Sequence, residues 1–282
     1  MNLLAIETAT DTVGVALLRD DGGAAELVHG GGREHAERLA PMIEEVCAVA
    51  GTPLADVDLV AVDIGPGLFT GLRVGVATAK ALAQARDLPV LGITSLDVLG
   101  AAAAGEIVSE DASSVEVIVP VVDARRGEVF VAAYAAGGRA KGVAGENAAR
   151  AQVIDPGPPL DEPRAPIDPE AMLTWIGGFG SGPGTVRVVG DGALRYLHRL
   201  ALLPDLDVGR AESLASPPPA VLARLAALRL AAGTAAVGAA DLAPDYRRPA
   251  DVRINWEQRP PFGSSGSQAS VAAPVRPGVD RG

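Results

Sequence analysis

The strongest constraint on this chain lies between residues 58 and 83, where a short apolar run, a glycine-proline-glycine loop and a helical pattern follow one another. The apolar run, residues 59–64, is typical of a β-strand covered on both faces. Residues 65–67 end that strand, because glycine adopts backbone angles closed to other residues and proline lacks an amide hydrogen. Thr70 is predicted to cap the helix that follows.

Small residues recur at every fourth position of this helix, at Gly71, Gly75, Ala79 and Ala83, so they lie along one ridge. A glycine inside a helix costs about 1 kcal/mol relative to alanine, and close approach of a second backbone would offset that cost. The ridge therefore predicts a helix that packs tightly.

A second amphipathic helix is predicted from about Glu34 to Ala50, and Gly51 and Pro53 end it. Its apolar face consists of Ala36, Leu39, Ile43, Val46, Cys47 and Ala50.

The remaining pattern predicts a three-stranded meander followed by alternating helices and strands. The predicted strands are residues 3–6, 13–18, 25–29, 89–93, 117–122, 128–134 and 186–189. The predicted helices are residues 95–104, capped by Ser95, residues 169–176, opened by Asp168, and residues 219–232.

Four motifs in this order resemble the TsaB (YeaZ) family, a subunit of the bacterial machinery that places threonylcarbamoyl on adenosine in tRNA. The motifs are residues 65–75, residues 3–10, residues 121–130 and residues 244–249, and in the last one an arginine stands where leucine is more usual. The resemblance covers about residues 1–255. The family signature residues are Gly65, Pro66, Gly67, Thr70, Gly71, Arg73, Asp123, Arg125 and Arg126.

The order of elements fits an α/β protein with the actin and sugar-kinase fold, in which two mixed-sheet halves are ribonuclease-H-like. We expect an N-terminal domain over residues 1–108 and a smaller α/β domain over residues 109–255. Residues 256–282, rich in glycine, serine and proline, are expected to be a disordered tail.

Composition argues against independent binding of tRNA. The formal net charge is −11, and the only lysines are Lys80 and Lys141, whereas phosphate contacts need clustered positive charge. Cys47 is the only cysteine, which excludes an internal disulfide. The N-terminus does not resemble a signal peptide and no apolar stretch is long enough to span a bilayer, so we expect a cytoplasmic protein.

Candidate sites for chemistry are weak. Residues 7–10 lie where nucleotide-binding members of the fold place an acid and a phosphate turn, and residues 190–192 could be a remnant of an adenosine-binding glycine pair. The related TsaD uses a His-x-x-x-His pair for its metal, but His29 and His35 are six residues apart and His198 has no nearby histidine. We therefore expect no catalytic residue, metal or cofactor. Residues 123–127 fit either a binding role or a hairpin turn.

The resemblance implies a non-catalytic subunit that binds and activates the catalytic subunit TsaD, works beside the ATPase TsaE, forms a homodimer when alone and meets tRNA only through the complex. It also implies that the two helices form the contact, and on that basis Gly75→Leu should block pairing without unfolding the domain. The expected interface residues are Ala36, Leu39, Ile43, Val46, Leu72, Gly75, Val76 and Ala79. The alternatives are a sugar-kinase-like ATPase, a metallopeptidase-like protein and a self-contained homodimer.

Overall fold

The computed structural model describes residues 1–30, 34–110, 114–136, 153–163, 165–180 and 184–247. The chain divides into two compact units, Met1–Arg248 and Pro249–Gly282, and the second lies wholly outside the described residues. The expected disordered tail falls in that second unit. Among the described residues, no helix has the length and apolar character needed to cross a membrane.

The first half of unit one is a five-stranded sheet in the order β3-β2-β1-β4-β5. Its strands are β1 (Leu3–Glu7), β2 (Thr12–Leu18), β3 (Ala24–Gly30), β4 (Leu59–Asp63) and β5 (Val90–Ile93). The first three strands form an antiparallel meander, and β4 and β5 continue from β1 in parallel. Every residue of β1 and β4 is buried, as expected of central strands covered on both faces.

Helices cover both faces of this sheet. The helices are α1 (His35–Ala50), α2 (Phe69–Arg86), α3 (Ser95–Glu110) and α7 (Pro219–Ala231). The side chains of β1 at Leu4 and Ile6 pack with α1 and α2, whereas those at Leu3 and Ala5 pack with α3 and α7. This alternation follows from the two-residue period of a strand.

The second half contains a sheet in the order β10-β9-β6-β7, with β8 paired to β6. Its strands are β6 (Val115–Arg125), β7 (Glu128–Val131), β8 (Tyr134–Ala135), β9 (Thr185–Val189) and β10 (Leu206–Asp207). The helices of this half are α4 (Pro169–Gly177), α5 (Asp191–Arg195) and α6 (Leu197–Leu200). β6 pairs in parallel with β9 and antiparallel with β7, so this sheet is mixed as well.

Two mixed α/β sheets, the first in the expected ribonuclease-H-like order, confirm the predicted actin and sugar-kinase fold. The boundary between residues 108 and 109 stays a prediction. Although α7 belongs to the predicted C-terminal domain, its Leu222 and Leu225 pack on the N-terminal sheet.

Most predicted elements are present within a few residues, and two predicted helix caps are wrong. α2 begins at Phe69 after the N-cap residue Leu68, without a side-chain cap, so Thr70 is already inside the helix. In α3 the hydroxyl of Thr94 accepts the hydrogen bond from the Asp97 amide, while Ser95 points elsewhere. Asp168 does cap α4, accepting from the Ala171 amide at 2.9 Å.

The predicted close approach of a second backbone occurs within this chain. A methyl group added at Gly71 would overlap the carbonyl oxygen of Thr8, and one at Gly67 would overlap that of Ala9. The Leu68 amide donates to the same Ala9 carbonyl at 2.6 Å. The start of α2 therefore packs directly on the turn between β1 and β2.

Gly75 faces the same turn, because a methyl group there would overlap the Thr8 hydroxyl. The expectation that Gly75→Leu leaves the domain folded is therefore wrong. A leucine at this position would push α2 away from the chain's own sheet.

We predict that Gly71→Ala lowers the free energy of unfolding by about 1–3 kcal/mol, the usual cost of inserting a methyl group into a closely packed site. Helix propensity alone favours alanine by about 1 kcal/mol, so a loss would isolate the steric term. Urea denaturation of the purified protein measures it.

The matched control is Gly177→Ala at the end of α4, where the added methyl group has no neighbouring atom within 4 Å. We expect this variant to be as stable as the wild type or slightly more stable. Equal stability of the Gly71 and Gly177 variants would contradict the packing argument.

Candidate functional site

Most of the expected interface residues are buried in the core of this protein. Ala36 is exposed, whereas the other expected residues are buried against the N-terminal sheet: Leu39, Ile43, Val46, Leu72, Gly75, Val76 and Ala79. The apolar stripe of each helix holds that helix to its own sheet, which is the ordinary use of such a stripe. A partner contact through α1 and α2 remains a proposal, and it must use their outer faces.

The outer face of α2 carries a ridge of exposed residues with a helical spacing. Arg73, Ala77, Ala81 and Gln84 are all exposed, and they lie on the side opposite the buried glycines. Two short side chains at the centre of the ridge leave the helix backbone accessible to close approach by another surface.

The outer face of α1 is also partly apolar. Val49 is 63% exposed, which is a large exposure for a valine at the end of a helix. The other exposed small or apolar residues on this helix are Ala36, Ala40, Pro41 and Ala48. Since α1 and α2 contact each other on the same side of the sheet, their outer faces form one surface, which we call the helical face.

An aromatic cluster borders the helical face at the start of α2. The rings of Phe69 and Tyr246 lie 5.4 Å apart, and the Arg73 guanidinium carbon lies 3.8 Å from the centre of the Phe69 ring. Both rings are about half exposed. Arg73 and the segment around Tyr246 both belong to family motifs, but the sequence does not connect them, because the two lie far apart in the chain.

Two buried carboxyl groups lie side by side at the ends of β1 and β4. Glu7 and Asp63 each follow one residue after the paired residues Ile6 and Val62, and both are almost completely buried. Burial, with the nearby Asp63, holds the pKa of Glu7 well above its usual value. Burial also raises the pKa of Asp63 to about 7, although hydrogen bonds from Ser95 and the Gly65 amide oppose the shift.

The sequence pattern does not single out Asp63 as a site residue. Its only signal was an acid at the end of an otherwise apolar strand that precedes a glycine-rich loop. An acidic residue at the end of a buried strand must be hydrogen-bonded, neutral or bound to a ligand.

The turn after Glu7 is closed off from solvent. Thr8, Ala9 and Thr10 are all buried, and the Ala9 amide donates to the Glu7 carboxylate at 2.7 Å. The Nε2 atom of His35 lies 2.9 Å from the Thr10 carbonyl oxygen, within hydrogen-bond distance. The Ala9 amide and the Thr10 carbonyl of the turn are therefore hydrogen-bonded within the protein.

The segment 123–127 forms a hairpin turn tied to an ion-pair network. Arg126 and Gly127 both have positive φ, as the two central residues of a tight hairpin require. Arg125 pairs with Asp11 at 2.6 Å and with Asp123 at 3.1 Å. The structure therefore supports the hairpin interpretation, and a binding role for these arginines stays untested.

Asp123 is the centre of this network. Its carboxylate accepts from the Arg125 amide at 2.9 Å and from the Arg195 guanidinium at 2.8 Å, and its side chain is almost buried. Its own amide donates to Asp191 at 2.8 Å. Burial raises the pKa of Asp191 to about 6.

The glycines on either side of Asp191 have a packing explanation. A methyl group at Gly190 or at Gly192 would press on Val121 of β6. The expected remnant of an adenosine-binding pair is thus a close contact between α5 and β6.

The histidines are separated in the structure. His29 pairs with Glu34 at 3.5 Å, His35 contacts Thr10, and His198 is exposed in α6. Among the residues that the structure describes, no group of three histidine, cysteine or acidic side chains is arranged to hold a metal ion. Cys47 is buried on α1, and burial raises the pKa of its thiol, which disfavours reactivity.

We predict that Asp123→Ala lowers the free energy of unfolding by about 1–3 kcal/mol, since the Arg125 amide and the Arg195 guanidinium lose a nearly buried acceptor. Urea denaturation at neutral pH measures the change.

Asp21→Ala is the matched control. Asp21 also accepts from the amide two residues ahead, that of Gly23, and pairs with Arg19, but both of these side chains are exposed. Such surface pairs contribute about 1 kcal/mol or less, so this variant should lose less stability than Asp123→Ala. Similar losses in the two variants would show that burial of Asp123 adds nothing.

Comparison with known proteins gives a consistent family. Residues 29–167 match a family model described as TsaD, tRNA N6-adenosine threonylcarbamoyltransferase. An uncharacterized protein of Mycobacterium tuberculosis is 41% identical over 166 residues, which is 58% of this chain and 72% of the relative. The tRNA threonylcarbamoyladenosine biosynthesis protein TsaB of Escherichia coli is 38% identical over 136 residues, which is 48% of this chain. That alignment spans 55% of the length of the E. coli protein.

Two solved structures from Pseudomonas aeruginosa share the fold over most of this chain. YeaZ has a TM-score of 0.61 at 28% identity, covering 86% of this chain and 100% of that one. An uncharacterized protein described as similar to peptidase YeaZ has a TM-score of 0.63 at 28% identity, covering 88% of this chain and 99% of that one. Together with the motifs and the sheet order, these similarities show that the chain belongs to the TsaB (YeaZ) family.

Proposed function

We propose that this chain is a non-catalytic subunit of the machinery that forms threonylcarbamoyladenosine in tRNA, and that it binds and activates a TsaD catalytic subunit. The observation that carries the proposal is family membership, since the TsaB relatives are named for this pathway. In the proposed assembly TsaE supplies ATP hydrolysis, tRNA is reached only through the complex, and the complex works in the cytoplasm.

The helical face is the proposed contact surface. Its α2 ridge presents Ala77 and Ala81 between longer side chains, so a partner helix can approach closely there. Val49 on α1 adds an apolar side chain whose burial in a complex would stabilise it.

The aromatic cluster supplies the side-chain types that most often anchor interfaces, which are tyrosine and arginine beside other aromatics. Only 3% of the chain is aromatic, yet the rings of Phe69 and Tyr246 contact each other at the surface in a tilted arrangement. We place the strongest contacts of the proposed interface at this end of α2.

Similarity between the chain and TsaD proteins supports a paired arrangement. The tRNA N6-adenosine threonylcarbamoyltransferase of Erythrobacter litoralis is 39% identical over 111 residues, covering 34% of this chain and 32% of that protein. Residues 29–167, which match the TsaD family model, include α1 and α2, so the two proteins can present equivalent helical surfaces to each other. The same reasoning supports a homodimer of this chain in the absence of TsaD, in which identical patches meet.

We predict that Ala81→Arg weakens binding to the TsaD of the same organism by at least about tenfold, because a long charged side chain blocks close approach of the partner. Gel filtration with light scattering, on the chain alone and mixed with TsaD, measures it. The wild type should shift from a homodimer to a mixed complex, and Ala81→Arg should disrupt both.

Ala231→Arg is the control for added bulk and charge, since Ala231 is exposed at the end of α7 on the opposite face of the sheet. Phe69→Ala is a second variant that removes contact area without adding charge. A homodimer that TsaD leaves unchanged would overturn the proposed activating role. A complex that forms equally well with Ala81→Arg and Phe69→Ala would place the contact elsewhere.

The non-catalytic part of the proposal is supported by the state of the turn after β1, which is buried and already hydrogen-bonded within the protein. Glu7, Asp63, Asp123 and Asp191 all lie at this end of the two sheets, and the turn amide of Ala9 is already bonded to Glu7. Because this turn is buried and its Ala9 amide is bonded to Glu7, that amide is unavailable to a nucleotide phosphate, which in this fold binds at such a turn.

We predict that millimolar ATP with magnesium leaves the thermal midpoint of the purified chain unchanged. A ligand at one hundred times its dissociation constant would stabilise the fold by about 2.7 kcal/mol, which thermal unfolding detects readily. Stabilisation by ATP would favour the sugar-kinase-like alternative, and a divalent metal retained through chelation would favour the peptidase-like alternative.

A further inference from the structure

The carboxyl groups of Glu7 and Asp63 occupy equivalent positions on neighbouring parallel strands. The strands β1 and β4 are in register up to Ile6 and Val62, so the next residue of each strand lies beside that of its neighbour. Adjacent strands are about 4.8 Å apart, and side chains at equivalent positions point to the same face. Both residues are almost completely buried.

The hydrogen bonds around the pair do not satisfy two negative charges. Glu7 accepts from the Ala9 amide at 2.7 Å and, at a long 3.4 Å, from the Thr12 hydroxyl. One oxygen of Asp63 accepts from the Gly65 amide and from the Ser95 hydroxyl, both at 2.7 Å. The other oxygen, Oδ2, is buried and has no hydrogen-bond partner.

The charged groups that act on the pair from the surrounding elements are mainly acidic. Asp191 on α5 acts on Glu7, and Asp97 on α3 acts on Asp63, and each opposes ionisation. On α7 the charged side chains are Arg224 and Arg229, and Arg229 is paired with Asp97 and with Asp155.

The groups on the remaining elements are engaged elsewhere. Arg125, at the end of β6, is paired with Asp11 and Asp123. On α2, which covers the other face of the sheet, Lys80 donates to the carbonyl oxygens of Ala240 and Leu242. On α1, His35 contacts the Thr10 carbonyl.

We propose that Glu7 and Asp63 hold one proton between them in the folded protein, so that the pair carries a single negative charge at pH 6 and a second charge by pH 8. The proton turns one carboxyl into a donor, which meets the need of an acceptor that otherwise has no partner in a buried site. Two groups this close titrate as a unit, and the proton belongs to the pair.

The protonation state of the pair affects the structure, because each acid accepts a hydrogen bond from a loop amide. Glu7 fixes the Ala9 amide, and Asp63 fixes the Gly65 amide. These two loops meet where the Leu68 amide donates to the Ala9 carbonyl at the start of α2. Loss of the proton would place two charges beneath both loops and loosen the end of α2 that carries the aromatic cluster.

The direction of the pH dependence follows from the raised pKa values. A carboxyl whose pKa is higher in the folded state binds more protons there than in the unfolded chain, so its stabilising effect is present at low pH and is lost as pH rises through the folded value. For Asp63 that value is about 7, and Asp191, at about 6, contributes mainly at lower pH. The informative window is therefore pH 6 to 8.

The test is urea denaturation of the full chain at pH 6 and at pH 8. For a folded value near 7, the unfolding equilibrium constant of the wild type should rise about tenfold between these pH values. Asp63→Asn and Glu7→Gln should each make that rise smaller than in the wild type, because an amide mimics the protonated acid and cannot ionise. Burial still raises the pKa of the acid that remains, so part of the rise persists. Asp20→Asn, at an exposed carboxylate, should keep the wild-type rise.

Three results would overturn the proposal. The first is a tenfold rise that persists in both amide variants. The second is failure of both amide variants to fold at either pH, since a neutral side chain would then be unable to replace the acid. The third is stabilisation of the wild type, but not of Asp63→Asn, by magnesium chloride, which would make the pair a cation site.

Discussion

The packing of α2 on the turn between β1 and β2 is the contact on which the rest of the structure depends. Gly67 and Gly71 bring the helix onto the carbonyl oxygens of Thr8 and Ala9, and only residues without a side chain allow that approach. The contact fixes the direction of α2, and the direction of α2 decides which of its faces is buried. The buried glycine ridge and the exposed ridge around Ala77 are thus two consequences of one steric constraint.

The same contact explains why polar groups gather beneath the start of α2. Two loops that follow neighbouring parallel strands meet there, and each loop amide needs an acceptor in a place that water does not reach. Glu7 and Asp63 supply those acceptors from the strand ends. Burial of two adjacent carboxylates costs free energy because both charges lose their hydration. Hydrogen bonds to the acids and protonation of one of them reduce that cost.

Sequence periodicity predicted which residues of the helices are apolar but not what covers them. From the sequence alone, Leu39, Val46 and Val76 fit a partner interface and the protein's own core equally well. The structure places them in the core. The sheet order was predictable because a meander followed by alternating helices and strands leaves few topologies. The error at Thr70 arose because α2 begins earlier, at Phe69, where the Ala9 carbonyl replaces a side-chain cap by accepting from the Leu68 amide. The pairing of Phe69 with Tyr246, and that of Glu7 with Asp63, depend on tertiary structure that one sequence does not reveal.

Side chains from the two halves of the fold are joined beside the turn after β1. Here Asp123 ties Arg125 and Arg195 together, Arg125 reaches Asp11, and the turn after β1 is covered by α2. These contacts link the turn after β1 to the hairpin of the second sheet. The outward faces of α1 and α2 are not needed to hold these helices in place, because the buried faces already pack on the sheet. The proposed binding surface therefore consists of residues that can be replaced with little loss of folding stability. Its orientation is set by the packing of Gly67 and Gly71 on the turn between β1 and β2.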